Sequence, residues 1–410
     1  MNNKKMDFFW NTIGVTLNSF TSVFFLIVVN RINGSNEAGI FSFSYSVACL
    51  LFIVGVYATR TYQIADVNGK LNDYEYIAHK YITCFIMLTC VGIYCLFINE
   101  RVKRYALFTI TCFKLIEAFS DTLYGFIQKE NKLYIVGISL TIKAISQVII
   151  FTIVDYITKD MLVAILSMLI ISILFTATYD VHYAKKIIKK EKVRAIKIKL
   201  LFKEGFPIFI ISFLAVYIVN ATKYSMNNLL DNSSQAIFGI IIMPASFISL
   251  CGQYIMNPVL NELVYCYNAE KFSLLKRKIL RVIGLLFGIW GISEILAYFL
   301  GIPILQIMYG INISSYKWSL LIIIFGAIFY GTSIIFQNCL IIMQKNKNQV
   351  YIYFFSSIVA NISSVVCIRR FGINGAAYSY FITMFLHAAI YYVYFNYEIN
   401  CLEKKEKARR

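Results

Sequence analysis

Apolar runs of about 20 residues recur along the whole chain, each long enough to cross the ~30 Å hydrocarbon layer of a bilayer. In lipid a backbone must satisfy its own hydrogen bonds, so runs of this length have to be helices. Twelve are read, over about 8–29, 38–57, 77–98, 105–127, 134–155, 161–183, 206–230, 236–258, 279–300, 318–343, 350–368 and 373–396. Only 15% of the 410 residues are charged and 59% are hydrophobic, against roughly 25% charged in soluble domains. A soluble enzyme is excluded, and an all-α polytopic membrane protein with twelve transmembrane helices is expected.

The 39 Lys and Arg outnumber the 21 Asp and Glu. Most of the cations fall on alternate connections between the runs, which places those connections and both termini in the cytoplasm; nucleic acid is not an expected partner. The run after Met1-Asn2-Asn3-Lys4-Lys5 continues to Val29 without a small-residue cleavage site, so it is read as a retained first helix. The largest basic stretch, 184–205, opens with Lys185-Lys186-Ile187-Ile188-Lys189-Lys190-Glu191-Lys192-Val193-Arg194. It separates an N-terminal half, 1–183, from a C-terminal half, 206–396, which a basic tail follows at 397–410. Its interleaved Ile and Lys predict a helix lying on an anionic leaflet. Ser35-Asn36-Glu37-Ala38-Gly39-Ile40-Phe41, entering the second span, is similar to Ser233-Ser234-Gln235-Ala236-Ile237-Phe238-Gly239, entering the eighth. That is where a six-plus-six duplication requires a match, so two six-helix halves with a central cavity are expected.

Ten Cys are present, but Cys49, Cys84, Cys90, Cys95, Cys112, Cys251, Cys339 and Cys367 lie in the apolar runs, and the three His are scattered. No CxxC or Cys/His spacing marks a metal site, and no cofactor is expected.

Charges in hydrocarbon are costly, so ionisable groups within spans are the best pointers to function. Lys114, Glu117 and Asp121 share one face of the fourth span. Lys143 lies in the fifth, one turn before Gln147. Asn220, Lys223 and Asn227 stripe the seventh, as Asn11, Gly14, Asn18 and Ser22 stripe the first. Lys143 and Lys223 have no acid at i±3 or i±4, which points to uncompensated charge in a cavity. Lys114 with Glu117 reads equally as a structural ion pair, and Asn11 and Asn18 read equally as interhelical hydrogen-bond partners. Glu294 is read as interfacial. Pro244, in the eighth span, favours a kink.

Asn30-Arg31-Ile32-Asn33-Gly34 through Gly39-Ile40-Phe41, then Gly55-Val56-Tyr57-Ala58-Thr59-Arg60-Thr61-Tyr62-Gln63, resembles the first two spans of Wzx-type polysaccharide flippases. These belong to the multidrug/oligosaccharidyl-lipid/polysaccharide exporter superfamily. The likeness continues in Glu117 and Asp121 leading to Tyr124-Gly125-Phe126-Ile127-Gln128, in Ser139 and Lys143, in Lys223-Tyr224, in Met243-Pro244-Ala245 and in Gly372-Ile373-Asn374-Gly375-Ala376-Ala377. The chain departs from the family's pattern where Lys80 and Lys143 replace frequent Arg, which keeps the charge and loses the bidentate grip on phosphate.

The resemblance implies a MATE-like arrangement in the cytoplasmic membrane of a bacterium. It implies a flippase rather than an enzyme, carrying undecaprenyl-diphosphate-linked oligosaccharide across the bilayer by alternating access, beside other polysaccharide-assembly proteins. Lys114, Lys143 and Lys223, with Arg31 and Arg60, are then expected to meet the diphosphate. Asn11, Asn18, Asn220, Asn227 and Gln147 would face the sugar, and Glu117 and Asp121 would couple a proton or hold Lys114. The competing reading, an ion-coupled multidrug exporter, wants acids and aromatics, and Lys143 and Lys223 would repel a cationic drug. A membrane-embedded glycosyltransferase is disfavoured because the longest outer loop, 301–317, contains no Asp, Glu or His.

Overall fold

Every expected span is helical in the computed structural model, which describes residues 3–66 and 69–409. Met1, Asn2 and Arg410, the ends of the expected first half and basic tail, lie outside the described residues, as does the side chain of Cys251. The helices are α1 (Asn3–Ile32), α2 (Ser35–Val56), α3 (Thr59–Ala65), α4 (Asp73–Leu96), α5 (Arg101–Lys129) and α6 (Leu133–Thr158). Next, α7 (Met161–Phe175) runs through a π-helical turn, Thr176–Asp180, into α8 (Val181–Lys185). They are followed by α9 (Ala195–Leu229), α10 (Asn232–Ile241), α11 (Met243–Asn268), α12 (Phe272–Leu296), α13 (Ile302–Tyr309), α14 (Lys317–Ile342) and α15 (Asn346–Arg409). The last two expected spans are both in α15, which breaks at Gly372, φ 56°. Among the described residues nine helical stretches are long and apolar enough to cross a membrane. The α5 helix is not one of them, because Lys114, Glu117 and Asp121 interrupt its apolar length. Side chains such as Phe85, Leu96 and Trp318, each at least 70% exposed, suit outward faces solvated by lipid rather than water.

The chain forms two compact units, Met1–Val216 and Tyr217–Arg410, divided inside α9. In the first, α1 packs along α6, α2 against α4 and α5, and α7 against α5 and α6. The two helices approach closely at Gly14 and Gly137: a Cβ on Gly137 would lie 2.5 Å from the Asn11 backbone nitrogen. Small residues admit such backbone contact between membrane helices. Gly137→Ala is therefore expected to cost about 1–3 kcal/mol through overpacking, read as a lower Tm of the purified protein.

In the second unit α14 packs against α11, α12 and α15. Pro244 falls just after the expected bend, where α10 ends at Ile241 and α11 begins at Met243. His387 is a core histidine: fully buried, its Nδ1 lies 2.8 Å from Ser356 Oγ, and its ring packs on Tyr353 and Tyr391.

The basic stretch differs from expectation. Residues 188–194 are coil, and from Ala195 the chain is already in α9, so no separate helix lies along the membrane. Acids at the start of α4 hold it instead. Arg194 Nε donates to Glu75 Oε1 at 2.6 Å, the Lys189 amide to Asp73 Oδ2 at 2.9 Å, and Asn72 Nδ2 to the Lys192 carbonyl at 2.9 Å. Ile187 and Ile188 bury against Leu71, Tyr76 and Phe126 rather than in lipid.

The loop before α4 has its own anchor. The buried Asp66 carboxylate accepts the Lys70 and Leu71 amides at 2.9 and 3.0 Å and the Tyr76 hydroxyl at 2.9 Å. Burial alone would raise its pKa, but those three donors favour the ionised form and hold it below the usual carboxylate value. A depressed folded-state pKa stabilises above the unfolded value, near ~3.9 for Asp, and the stabilisation is lost as pH falls through the folded one. Amide exchange at Leu71 is expected to accelerate below about pH 4, and Asp66→Asn to abolish that pH step.

Candidate functional site

The site starts from a helix break. Tyr57 and Ala58 adopt φ of 41° and 54°, left-handed values rare for side-chain-bearing residues, and end α2 at Val56. The break denies the Gly55 and Val56 carbonyls their helical donors. Lys80, fully buried in α4, supplies them: its Nζ donates to the two carbonyls at 2.6 and 3.1 Å, and Thr83 Oγ1 reaches Gly55 at 2.9 Å. A cation there also meets the negative end of the α2 dipole. The Tyr57 ring stacks on Phe209, centroids 4.4 Å apart.

The chain resumes as α3, with Arg60 in its first turn. Arg60 Nη1 is 3.1 Å from Asp121 Oδ1, and its Nε and Nη2 both donate to Gln128 Oε1, at 3.1 and 2.6 Å. Its guanidinium is 5.9 Å from the Tyr124 ring centroid. The Arg60 side chain is 24% exposed, so part of this fork stays accessible. Lys143, 4% exposed, also reaches Tyr124: it donates to Tyr124 Oη at 3.1 Å, Ser120 Oγ at 3.0 Å and Thr176 Oγ1 at 2.9 Å, and pairs with Asp180. Ser139 Oγ completes the network, 2.5 Å from Asp180 Oδ1 and 3.0 Å from Tyr124 Oη. Further along α5, Lys114 pairs with Glu117 at 2.7 Å, with Tyr45 and Phe113 rings 4.7 and 5.1 Å from its ammonium. Positions 114, 117, 121, 124 and 128 form one helical stripe, so α5 organises the whole cluster.

Local sequence explains the placement. The π-helical turn Thr176–Asp180 brings Thr176 and Asp180 to the same lysine. Gly125 leaves room for Gln63, since a Cβ there would lie 2.7 Å from Gln63 Cδ; Gln63 is fully buried and neither amide atom is hydrogen-bonded among the described residues.

Two sequence expectations are corrected here. Lys143 is not without an acid, because its partner Asp180 comes from another helix, where counting along one helix cannot find it. Asp121 lies on the Lys114 face of α5 but pairs with Arg60, leaving Lys114 to Glu117. Arg60, Lys114, Glu117, Asp121 and Lys143 are thus gathered along α5. Gln147 is buried one turn beyond Lys143, its Oε1 without a hydrogen bond among the described residues. Asn11 and Asn18 are half-buried on α1, and Arg31 is exposed in that helix's last turn. Lys223 is buried in the second unit, with Gln235 Nε2 donating to its carbonyl at 3.0 Å. Asn220 and Asn227 are half-buried in the same unit. Sequence reasoning missed Asp180 and the capping role of Lys80. Both fall inside expected spans, where the cost of a charge is itself the signal. Asp155, near the end of α6, was missed likewise; it is fully buried.

No protein-family profile matches the chain. Capsular polysaccharide biosynthesis protein CapF of Staphylococcus aureus is similar to it, 25% identical over 385 residues that cover 92% of this chain and 96% of that protein. Among solved structures, the inward-facing conformation of a multidrug resistance MATE family transporter of the MOP superfamily superposes with a TM-score of 0.74 at 12% identity, over 95% of each chain. A MOP superfamily transporter from Pyrococcus furiosus, described as having a binding pocket of reverse polarity, superposes with a TM-score of 0.61 at 12% identity, over 98% of this chain and 97% of that one. The chain has the MATE-like fold of a multi-pass membrane protein, and the resemblance stated from its sequence is upheld by these likenesses.

Proposed function

We propose that the chain is a flippase that moves undecaprenyl-diphosphate-linked oligosaccharide repeat units from the inner to the outer leaflet by alternating access, for assembly of a surface polysaccharide. The observation that carries this reading is the charge balance of the α5 cluster. Glu117, Asp121 and Asp180 are each matched by a cation, while Lys80, beside them on α4, is a fourth cation whose hydrogen bonds among the described residues go to the Gly55 and Val56 carbonyls. The surplus is positive, as an anionic cargo requires, and no acid of this cluster is left over for a cationic drug. The likeness to a capsular polysaccharide biosynthesis protein supports the same conclusion.

In this reading the partly exposed Arg60 exchanges its neutral partner Gln128 for a phosphate oxygen. Lys114 and Lys143, with Arg31 and Lys223, add attraction, and Asn11, Asn18, Asn220, Asn227 and Gln147 serve the sugar. Protonation of Asp121 or Glu117 frees its cation for cargo, which couples the cycle to a proton. The membrane is the cytoplasmic membrane of a bacterium, with both termini and residues 184–205 inside, next to other polysaccharide-assembly proteins. A single Cys at position 190 on a Cys-free background should resist an impermeant maleimide in intact cells and react after lysis; reaction in intact cells would reverse the orientation.

The functional test is the lipid-linked pool. Cells deprived of the chain should accumulate the prenyl-diphosphate repeat unit and lose surface polymer. Unchanged surface polymer with no accumulated intermediate would refute the assignment.

A further inference from the structure

The coil of the basic stretch roofs an open groove of about 870 Å³ on the first unit. Its walls are apolar: Ile77 and Ala78 of α4, Phe119 and Leu123 of α5, and Ile188 and Val193 of the coil. Its charges are of one sign. Lys185 and Lys190 line it, both are exposed, and among the described residues no acid lines it and neither lysine has an ion pair. The rest of the coil is differently employed, since Arg194 and the Lys189 backbone are held by α4 acids. The membrane-crossing stretch Met161–Lys185 ends at the first of these lysines, so the groove runs from the level of the headgroups into the apolar layer.

We infer that this groove holds one acyl chain of an anionic glycerophospholipid, whose phosphate lies between Lys185 and Lys190. An apolar slot ending in two unpaired cations complements a hydrocarbon chain ending in an anion, and each such lysine adds attraction at an anionic surface. The cargo proposed above is a poorer match, because a glycan would find only the Tyr74 and Tyr81 hydroxyls among the neutral side-chain donors of the lining. Phe119 and Leu123 are also one residue round the helix from Ser120 and Tyr124, on a face of α5 separate from the charged stripe.

The test uses the full chain, purified in detergent, with retained lipid measured by native mass spectrometry and Tm measured on adding dioleoyl phosphatidylglycerol or phosphatidylcholine. Phosphatidylglycerol should be retained selectively and should raise Tm. Lys185→Gln and Lys190→Gln should each weaken its binding about fivefold. Ala78→Phe, which fills the slot and leaves both cations, should abolish retention. Equal retention of the two lipids, full retention by the double lysine variant, or displacement of phosphatidylglycerol by a short-chain prenyl-diphosphate sugar would overturn the inference.

Discussion

Lys143→Ala is expected to cost the protein its stable fold before it costs it transport. The substitution removes the cation beside Asp180, a carboxylate that is fully buried and otherwise held by Ser139. Breaking a buried pair from one side costs about 3–5 kcal/mol, because the partner is left as an uncompensated charge. That is a large part of a folding free energy of roughly 5–15 kcal/mol. Monodisperse protein recovered in detergent should fall steeply, and the survivors should melt early. The double variant Lys143→Met, Asp180→Asn, which removes both charges together, should recover most of the loss. Asp180→Asn alone should also destabilise, since it strands Lys143. A Lys143→Ala protein with unchanged yield and Tm would show that Asp180 does not need this lysine.

The same pair shows where the sequence could be read and where it could not. Apolar length marked the helices, because crossing hydrocarbon imposes one dominant condition that a single run of residues must meet, and nine helical stretches among the described residues meet it. The Lys114, Glu117 and Asp121 stripe was legible for a similar reason: helical periodicity puts residues three and four apart on one face. Pairing across helices follows no such rule. Lys143 with Asp180, and Arg60 with Asp121, join positions 37 and 61 residues apart, and only packing brings them together. The break at Tyr57 and Ala58 was hidden because neither Gly nor Pro marks it; what sustains it is Lys80, a residue of another helix. The basic stretch misled for the opposite reason. Its Ile and Lys pattern suits an interfacial helix, but Asp73 and Glu75 offer its backbone and Arg194 better partners than an anionic leaflet does.

Arg60→Gln should behave in reverse to Lys143→Ala, sparing the fold and sacrificing transport. Arg60 and Asp121 are 24% and 22% exposed, so losing their pair should cost about 1 kcal/mol or less. A guanidinium gripping a phosphate is worth about 1.5–3 kcal/mol as a charged hydrogen bond, which corresponds to roughly 10- to 150-fold in affinity or rate. Arg60→Lys, keeping the charge and losing the fork, should fall between the two.

Translocation in proteoliposomes tests the whole account most directly. A short-chain prenyl-diphosphate oligosaccharide is loaded in one leaflet, and its appearance in the other is followed by accessibility to a membrane-impermeant probe, with ethidium flux measured in parallel. A flippase for an anionic cargo should move the diphosphate glycan in a way that salt weakens and that Arg60→Gln slows at least about tenfold, with no ethidium flux. Ethidium flux without glycan movement would contradict that assignment, and would turn attention from the cations along α5 to the buried carboxylate of Asp155.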